Sequence, residues 1–439
     1  MLWKQPPPPP PPPPPAYDAL AFAADTLAAL PRVLLFYAAI VVLHAALPSF
    51  KCDGYACDWS GRPLRYRLNG PLILAATVAT WAMLPLEQQT FAAEKYWPCL
   101  CASNVLGLLF SVLLLLWTPH EPACRCLTVD QKALRDRAAK GEDVCRTAIT
   151  PSPTRSAAAH FFFGRSFNPR LMGDVIDLKM LLYAVGACAL VWNLLSAAAL
   201  RERSTALPGA VPGAAGIPTA LLVYLAMFGW FVLEYMCLEL VHLYTYDIMC
   251  EKLGFKLCWG CLLFYPFFYC IGVWPLVAAP RSADISPACA AAIATLFFAG
   301  WVLTRGANLQ KFVYKRRSEH PSRGDLDATW LGLPMRVVPG TRLLCSGFWG
   351  LARHVNYCGE IVQAIALALP GSLVALSSLE GTPHYLYYVL LPWLYPLYYV
   401  ALFLPRQMDD DAQLCAKYGE VAFAEYTRRV PYRVVPGVW

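Results

Sequence analysis

The stretch YWPCLCASNVLGLLFSVLLLLW, residues 96–117, carries no charged side chain and only a few polar ones. At about 1.5 Å of rise per residue it would reach about 33 Å as a helix, enough to cross a hydrocarbon core of about 30 Å. Comparable apolar blocks flank it at 32–50, 71–85, 178–200, 217–240, 257–279, 286–303, 361–376 and 385–404. Several contain Gly or Pro, which membrane helices tolerate where neighbours satisfy the freed backbone groups. Across 439 residues, 58% are hydrophobic and 15% charged, a balance that excludes an ordinary soluble globule. The expected fold is all-α: a polytopic membrane protein with about nine to ten transmembrane helices, counting a possible re-entrant piece.

The net charge of +7 concentrates in the loops 119–177, 305–353 and 406–433. An even number of blocks separates each pair of these loops, so they share one side, which the positive-inside rule makes cytoplasmic. The C-terminus is expected there, while the side of the N-terminus is left open. Loop bias and an anionic leaflet account for the basic balance, so it does not point to a nucleic-acid partner. Most of the 17 cysteines fall in or beside apolar spans, where Cys acts as a small hydrophobe, and free thiols are expected. Cys258 and Cys261 have the C-x-x-C spacing of redox and zinc sites, but no second pair stands nearby, which favours packing and no metal.

Ten consecutive prolines at 6–15 read as a polyproline II leader, a passive tail or a ligand for a proline-recognition domain. Prolines stand where a cleavable signal needs an apolar run, so the first span is expected to direct insertion. Residues 119–159 read as a solvated excursion with a short helical register at 130–139, and the glycines at 209–216 as a turn rather than a phosphate loop. The expected organisation is a leader over 1–30, a transmembrane half over 31–300 and a transmembrane and cytoplasmic half over 301–439, with a pocket on the cytoplasmic side.

Polar groups inside apolar stretches are costly and therefore informative. The densest set, Glu239, His242, Thr245, Asp247 and Glu251, is a candidate pocket wall or simply a span end facing water. Tyr265 and Tyr269 crowd the next span, where rings could grip a flat apolar ligand or pack a neighbouring helix. A basic cluster follows at Arg305, Lys311, Lys315, Arg316 and Arg317, in which Lys311 and Lys315 share a helix face. It suits either a phosphate-rich ligand or lipid headgroups. The stretch SGFWGLARHVNYCGE at 346–360 adds an indole, a guanidinium and amides that a headgroup collar would not need. Arg406 and Asp410, one turn apart, precede Lys417, Tyr418 and Tyr426. Together these residues offer cations for phosphates, acceptors for ribose or amide groups, and rings for stacking, as a dinucleotide requires.

Ordered motifs then place the chain beside a known family: Arg65-Tyr66-Arg67-Leu68-Asn69-Gly70, Trp97-Pro98 with Asn104-Val105-Leu106-Gly107, Phe167-Asn168-Pro169-Arg170, Thr245-Tyr246-Asp247-Ile248, Gly254-Phe255 with Trp259-Gly260, Asn308-Leu309-Gln310-Lys311, the run 344–357, and Val430-Pro431-Tyr432-Arg433. In these the chain resembles the sterol reductases that include delta-14-sterol reductase, 7-dehydrocholesterol reductase and the membrane half of lamin B receptor. Ser346 to Gly350, 97–107 and 430–437 look most like the 7-dehydrocholesterol branch.

The resemblance implies NADPH as cofactor, held by Lys311, Lys315, Leu344, Trp349, Asn356, Tyr357, Arg406, Asp410, Lys417, Tyr418 and Tyr426. It also implies Tyr269 as proton donor or relay, and a sterol substrate on the side of Glu239, Thr245 and Asp247. The implied reaction is reduction of a ring double bond, delta-7 or delta-14, in sterol biosynthesis, by a multi-pass protein of the endoplasmic reticulum membrane whose other partner is membrane lipid. The chain departs from the family pattern at Ser166, Cys250, Cys261, Lys315 and Asp409, and by one extra residue between Gly419 and Tyr426. Two other readings stand beside this one. One is a sterol-binding scaffold that has lost turnover. The other is an isoprenylcysteine methyltransferase-like enzyme, suggested by Arg353-His354-x-x-Tyr357-x-Gly359, although Val355 stands where that pattern wants Pro.

Overall fold

The computed structural model describes residues 18–58, 62–118, 156–172, 176–205, 217–249, 251–280, 282–318, 329–330 and 332–439. The proline run, the 130–139 register, the 209–216 turn and Cys250 lie outside the described residues.

Helices dominate. The longer ones, in chain order, are α1 (Ala19–Ala46), α2 (Gly70–Met83), α3 (Leu86–Glu94), α4 (Tyr96–Trp117), α5 (Leu178–Thr205), α6 (Thr219–Cys237), α7 (Phe255–Ala278), α8 (Pro287–Ser318), α9 (Val355–Ser378), α10 (Tyr385–Tyr418) and α11 (Glu420–Arg429). Among the described residues 8 helices are long and apolar enough to cross a membrane, and the α2–α3 pair, bent by 112°, brings the number to 9. The bend falls at Leu84-Pro85, where Pro85 cannot donate to the preceding turn.

That pair is anchored at both ends of the bundle. Next to the start of α2, Arg67 and Asn69 donate to the Ala45, Leu47 and His44 carbonyls at the end of α1, at 3.1 to 3.4 Å. Past the end of α3, Lys95 pairs with Asp25 near the opposite end of α1, at 2.7 Å. The bent pair thus runs from one end of α1 to the other.

Between α1 and α2 an antiparallel hairpin, β1 (Phe50–Cys57) and β2 (Pro63–Leu68), pairs Phe50 with Leu68 and Asp53 with Arg65 before a bulge. It lies at the end of the bundle where the loop motifs gather. Tyr55 and Tyr66 are buried with Leu243, Tyr244 and Ile248 in a small apolar cluster beside the main core.

Two local devices set the helices that carry the motifs. Small residues let α8 and α9 touch backbone to backbone: a side chain on Gly359 would strike Thr304 and the Gly300 carbonyl. Thr304 uses that proximity to donate to the Asn356 carbonyl at 3.0 Å. The second device is the irregular middle of α7, which winds as a π-helix over Gly260–Phe268 with Pro266 inside it, then as a 3₁₀ turn over Tyr269–Val273. Neighbouring side chains meet the carbonyls of this segment: Tyr37 donates to Leu262 at 2.8 Å, Asn193 to Pro266 at 2.8 Å and Tyr96 to Phe267 at 2.6 Å. Backbone of this kind survives at membrane depth only with such partners.

Candidate functional site

A cavity of about 680 Å³ opens between α7, α8, α9 and α10 and the segment 241–251. Along α10 it touches Tyr399, Leu402, Arg406, Asp410, Gln413 and Lys417, spaced at three or four residues, so one face of that helix forms a wall. From Tyr399 to Tyr418 that wall runs about 28 Å at about 1.5 Å per residue. One end lies within the apolar slab and the other beyond it.

The inner end is aromatic. The rings of Tyr269 and Tyr395 stack at 4.4 Å, Tyr265 lies 5.0 Å from Tyr269, and Phe264 lies 4.0 Å from Tyr398. Winding the middle of α7 as a π-helix changes the angle between successive side chains, and both Tyr265 and Tyr269 line the cavity. Cys261 lines it too, while Cys258 is buried in the apolar core.

The outer end is cationic. Lys311, Lys315, Arg342 and Lys417 all border it. Lys311 stands 5.5 Å from the Trp349 ring, and Lys315 stands 4.1 Å over Tyr55 of the hairpin. Gln310, fully buried, fixes the turn before α9: its amide donates to the Ser346 carbonyl at 3.0 Å and its oxygen accepts the Phe348 N–H at 3.0 Å. Gly347 takes φ +62 in that turn, and the Trp349 indole donates to the Ala307 carbonyl at 2.8 Å. The Asn308–Lys311 and Ser346–Gly350 motifs are therefore two halves of one wall.

The C-terminal segment closes the far side. Arg353 donates to the Val430 and Pro431 carbonyls at 2.8 and 3.0 Å and pairs with Asp411 at 3.1 Å. His354 meets the same carboxylate at 3.0 Å. The neighbouring Asp410 faces the cavity and accepts from the Tyr357 hydroxyl at 2.7 Å. Consecutive carboxylates thus divide the work, one holding the terminus and one lining the space.

Between the two ends, segment 241–251 is pinned from below. Lys179, with no exposed surface, donates to the carbonyls of Asp247 and Ile248 at 2.7 and 3.1 Å and to that of Glu251. Asp247 pairs with Arg406 and accepts from Tyr183 at 3.0 Å. Burial alone would raise the Asp247 carboxyl, but the Arg406 guanidinium overrides it and holds it at about 2. Glu251 is pushed up, by burial first and then by the charge of Asp247. The buried His242 imidazole, stacked on Tyr235 at 3.7 Å, is driven well below its usual value by burial and by Arg305, so it is neutral near pH 7.

All the residues to which the resemblance gives a cofactor role, from Lys311 to Tyr426, line this cavity, as do Tyr269, Thr245 and Asp247. Glu239 does not line it. It accepts the Gly70 N–H at 2.8 Å, and a side chain on Gly70 would collide with it, so it serves the junction between the hairpin and α2. Asp247, expected beside a sterol, is already engaged by a member of the cofactor set, Arg406. The sequence reading passed over Tyr183, Arg342, Tyr398, Tyr399 and Gln413, which also border the space. The three- and four-residue spacing along 399–417 was the signal that could have found those on α10.

The cavity also passes a test of fit for a dinucleotide. Cations at the mouth, an indole and phenols along the wall, and the cavity-facing Asp410 carboxylate suit phosphates, flat rings and hydroxyls in turn. The side-chain oxygen of Asn356 is a buried acceptor without a hydrogen-bond partner among the described residues.

A bundle of helices long and apolar enough to cross the membrane repeatedly, around a cavity with a charged mouth, defines a multi-pass membrane protein. Residues 21–439 match the model of the ergosterol biosynthesis ERG4/ERG24 family, and the chain belongs to that family. It is 28% identical over 411 residues to a Delta(14)-sterol reductase of Arabidopsis thaliana, covering 93% of this chain and 95% of the relative. Against the Delta(14)-sterol reductase erg24 of Schizosaccharomyces pombe it is 27% identical over 410 residues, covering 92% and 84%. Against that of Methylotuvimicrobium alcaliphilum identity is 32% over 290 residues, covering 65% of this chain and 60% of the relative. A family match over nearly the whole chain leaves no room for the methyltransferase alternative, and in the structure Arg353 and His354 hold the C-terminal segment and Asp411.

Proposed function

We propose that this protein reduces a ring carbon-carbon double bond of a sterol with NADPH, at the endoplasmic reticulum membrane, with the cavity mouth facing the cytoplasm. One observation carries the reading: a single cavity joins an aromatic chamber at membrane depth to a cationic mouth, so a flat apolar substrate and a charged dinucleotide can meet inside it. The names of the relatives favour the delta-14 double bond. The delta-7 bond is a second reading, favoured by the Ser346–Gly350 stretch, whose sequence resembles the 7-dehydrocholesterol branch.

When bound, the reduced nicotinamide supplies the hydride. Lys311, Lys315, Arg342 and Lys417 draw the phosphates to the mouth, where their charges are worth most. Asp410, aimed by Tyr357, accepts from hydroxyl or amide groups. Arg406, fixed by Asp247, sits at the junction of mouth and chamber. At the inner end Tyr269 gives its phenolic proton to the carbon that does not receive hydride. The surrounding rings present π-faces to the positive charge that develops on the sterol.

The test is expression in a host lacking its own delta-14 and delta-7 reductases, followed by mass spectrometry of the membrane sterols. Loss of one double bond establishes the activity and the position. Unchanged precursors in the presence of well-expressed protein would leave the scaffold reading in possession of the fold.

A further inference from the structure

Three buried polar side chains from three different elements meet the cavity with hydrogen-bonding atoms to spare. Arg305 of α8, His242 beyond the end of α6 and Tyr265 in the π-wound middle of α7 are 5, 6 and 7% exposed, and all three border the space. Arg305 gives one terminal nitrogen to Glu234. Its Nε and Nη1, the His242 Nε2 and the Tyr265 hydroxyl are buried without a hydrogen-bond partner among the described residues. Leaving such groups unmade is costly, so each calls for a water or a ligand atom.

The position and charge of this cluster narrow the ligand. Lys311 follows Arg305 by six residues on α8, about 9 Å at about 1.5 Å per residue, so the cluster lies inward of the cationic mouth. On its other side the Tyr265 ring stands 5.0 Å from that of Tyr269. Glu360 of α9 borders the same space within electrostatic reach of Arg305. With Glu234 it offsets the guanidinium, so the cluster does not suit a phosphate. It suits a neutral oxygen that accepts from the guanidinium and shares a proton with an imidazole or a phenol.

A sterol carries one such atom, the hydroxyl of its first ring. Among neutral rings that hydroxyl loses its water and needs partners in exchange. The nicotinamide carboxamide also has a neutral oxygen, but its ring becomes cationic as hydride leaves, and a guanidinium beside it would oppose that charge. The sterol hydroxyl is several bonds from the double bond and escapes this conflict. Because the fused rings are rigid, fixing the hydroxyl also fixes which ring carbons come to Tyr269.

We propose that Arg305, with His242 and Tyr265, binds the ring hydroxyl of the sterol and so sets the register of the substrate against Tyr269. The inference rests on the sterol-binding part of the reading above.

The experiment is displacement of a tritiated delta-14 sterol alcohol from purified full-length protein in detergent, by the unlabelled alcohol and by its counterpart lacking the hydroxyl, repeated with the delta-7 pair. In wild type the alcohol should compete about 10- to 100-fold better. Arg305→Lys keeps a cation for Glu234 but loses the spare guanidinium donors, and most of that preference should go. Tyr265→Phe should reduce it by less and leave the affinity for the counterpart unchanged. Comparing the ratio of the two ligands between variants cancels their different partition into detergent. Calorimetric NADP+ binding is the control for folding, and where Arg305→Lys fails it, the wild-type ratio and Tyr265→Phe decide. Equal competition by both ligands in wild type overturns the anchor and leaves the spare atoms to water. An undiminished preference in both variants, with nucleotide binding intact, overturns it as well. Selective binding of the alcohol by a protein that reduces neither sterol with NADPH supports the anchor and overturns the reductase reading. Absence of sterol binding overturns both.

Discussion

The two ends of the cavity are built by opposite rules. At the inner end the walls are neutral rings on a backbone that leaves regular α-geometry, and its carbonyls are claimed by Tyr37, Asn193 and Tyr96 from other helices. Charge there includes the buried Arg305–Glu234 pair and the Glu360 carboxyl. At the outer end the helices are regular, and specificity is carried by charges held in place by other charges, such as Arg406 by Asp247 and Arg353 by Asp411. The difference teaches where each kind of interaction is worth having. In the apolar slab an unpaired polar group is prohibitively costly, so shape and rings do the recognising. Beyond it, solvent access lowers the cost of grouping cations at the mouth.

The sharpest way to break this division is at the inner end. Tyr269→Phe keeps the ring and removes only the hydroxyl, so turnover should fall by about 10² to 10⁴-fold while NADP+ affinity is unchanged. Parallel loss of nucleotide binding would mean that the ends are not separable.

Next in size is Arg305→Met, which strips the partner from buried Glu234. Breaking such a pair costs about 3 to 5 kcal/mol, read as a lower melting temperature in detergent, and Arg305→Met with Glu234→Gln should recover most of it.

A third effect is pH-linked and lies outside both ends. Burial pushes the Glu239 carboxyl up from 4.5 to about 7, against the N–H groups of Gly70 and Asn69. The folded state therefore binds this proton more tightly than the unfolded state. The contribution is full below pH 4.5 and is lost as pH rises through about 7. Melting temperature should fall across that window, and Glu239→Gln should flatten the curve without moving the KM for nucleotide. By linkage, at about 1.4 kcal/mol per pKa unit, the effect is on the order of 3 kcal/mol.

The smallest expected change tests the mouth. Lys315→Ala should weaken nucleotide binding by about tenfold, about 1.4 kcal/mol, with little effect on sterol binding. Lys315→Arg should hold or tighten it through bidentate contact with a phosphate.

Much of this architecture was legible in the sequence. The block at 96–117 coincides with a helix of the same bounds, and the apolar blocks mark the crossings because a bilayer demands about 20 apolar residues in a row. The family motifs were legible as words, and several prove to have a physical use. Arg67 and Asn69 cap the end of α1, Gln310 staples the Ser346–Phe348 turn, and Arg353 gathers in Val430 and Pro431. The expected halves at residue 300 were less informative, since Tyr55, Thr245 and Asp247 from one side and Lys315 and Arg406 from the other border the same space.

Sequence alone determined that the chain spans a membrane and roughly where it crosses. Those properties follow from composition, from helical periodicity and from the types of side chain present. Only the tertiary structure decided what each polar residue is for. Glu239 and Asp247 sit eight positions apart in one polar run, yet one holds the Gly70 N–H and the other holds Arg406, far away in sequence on α10. The bend of α2 on α3 and the irregular winding of α7 likewise depend on partners from other helices. In a medium without water, a polar group takes its role from whichever neighbour satisfies it, and that neighbour is set by packing.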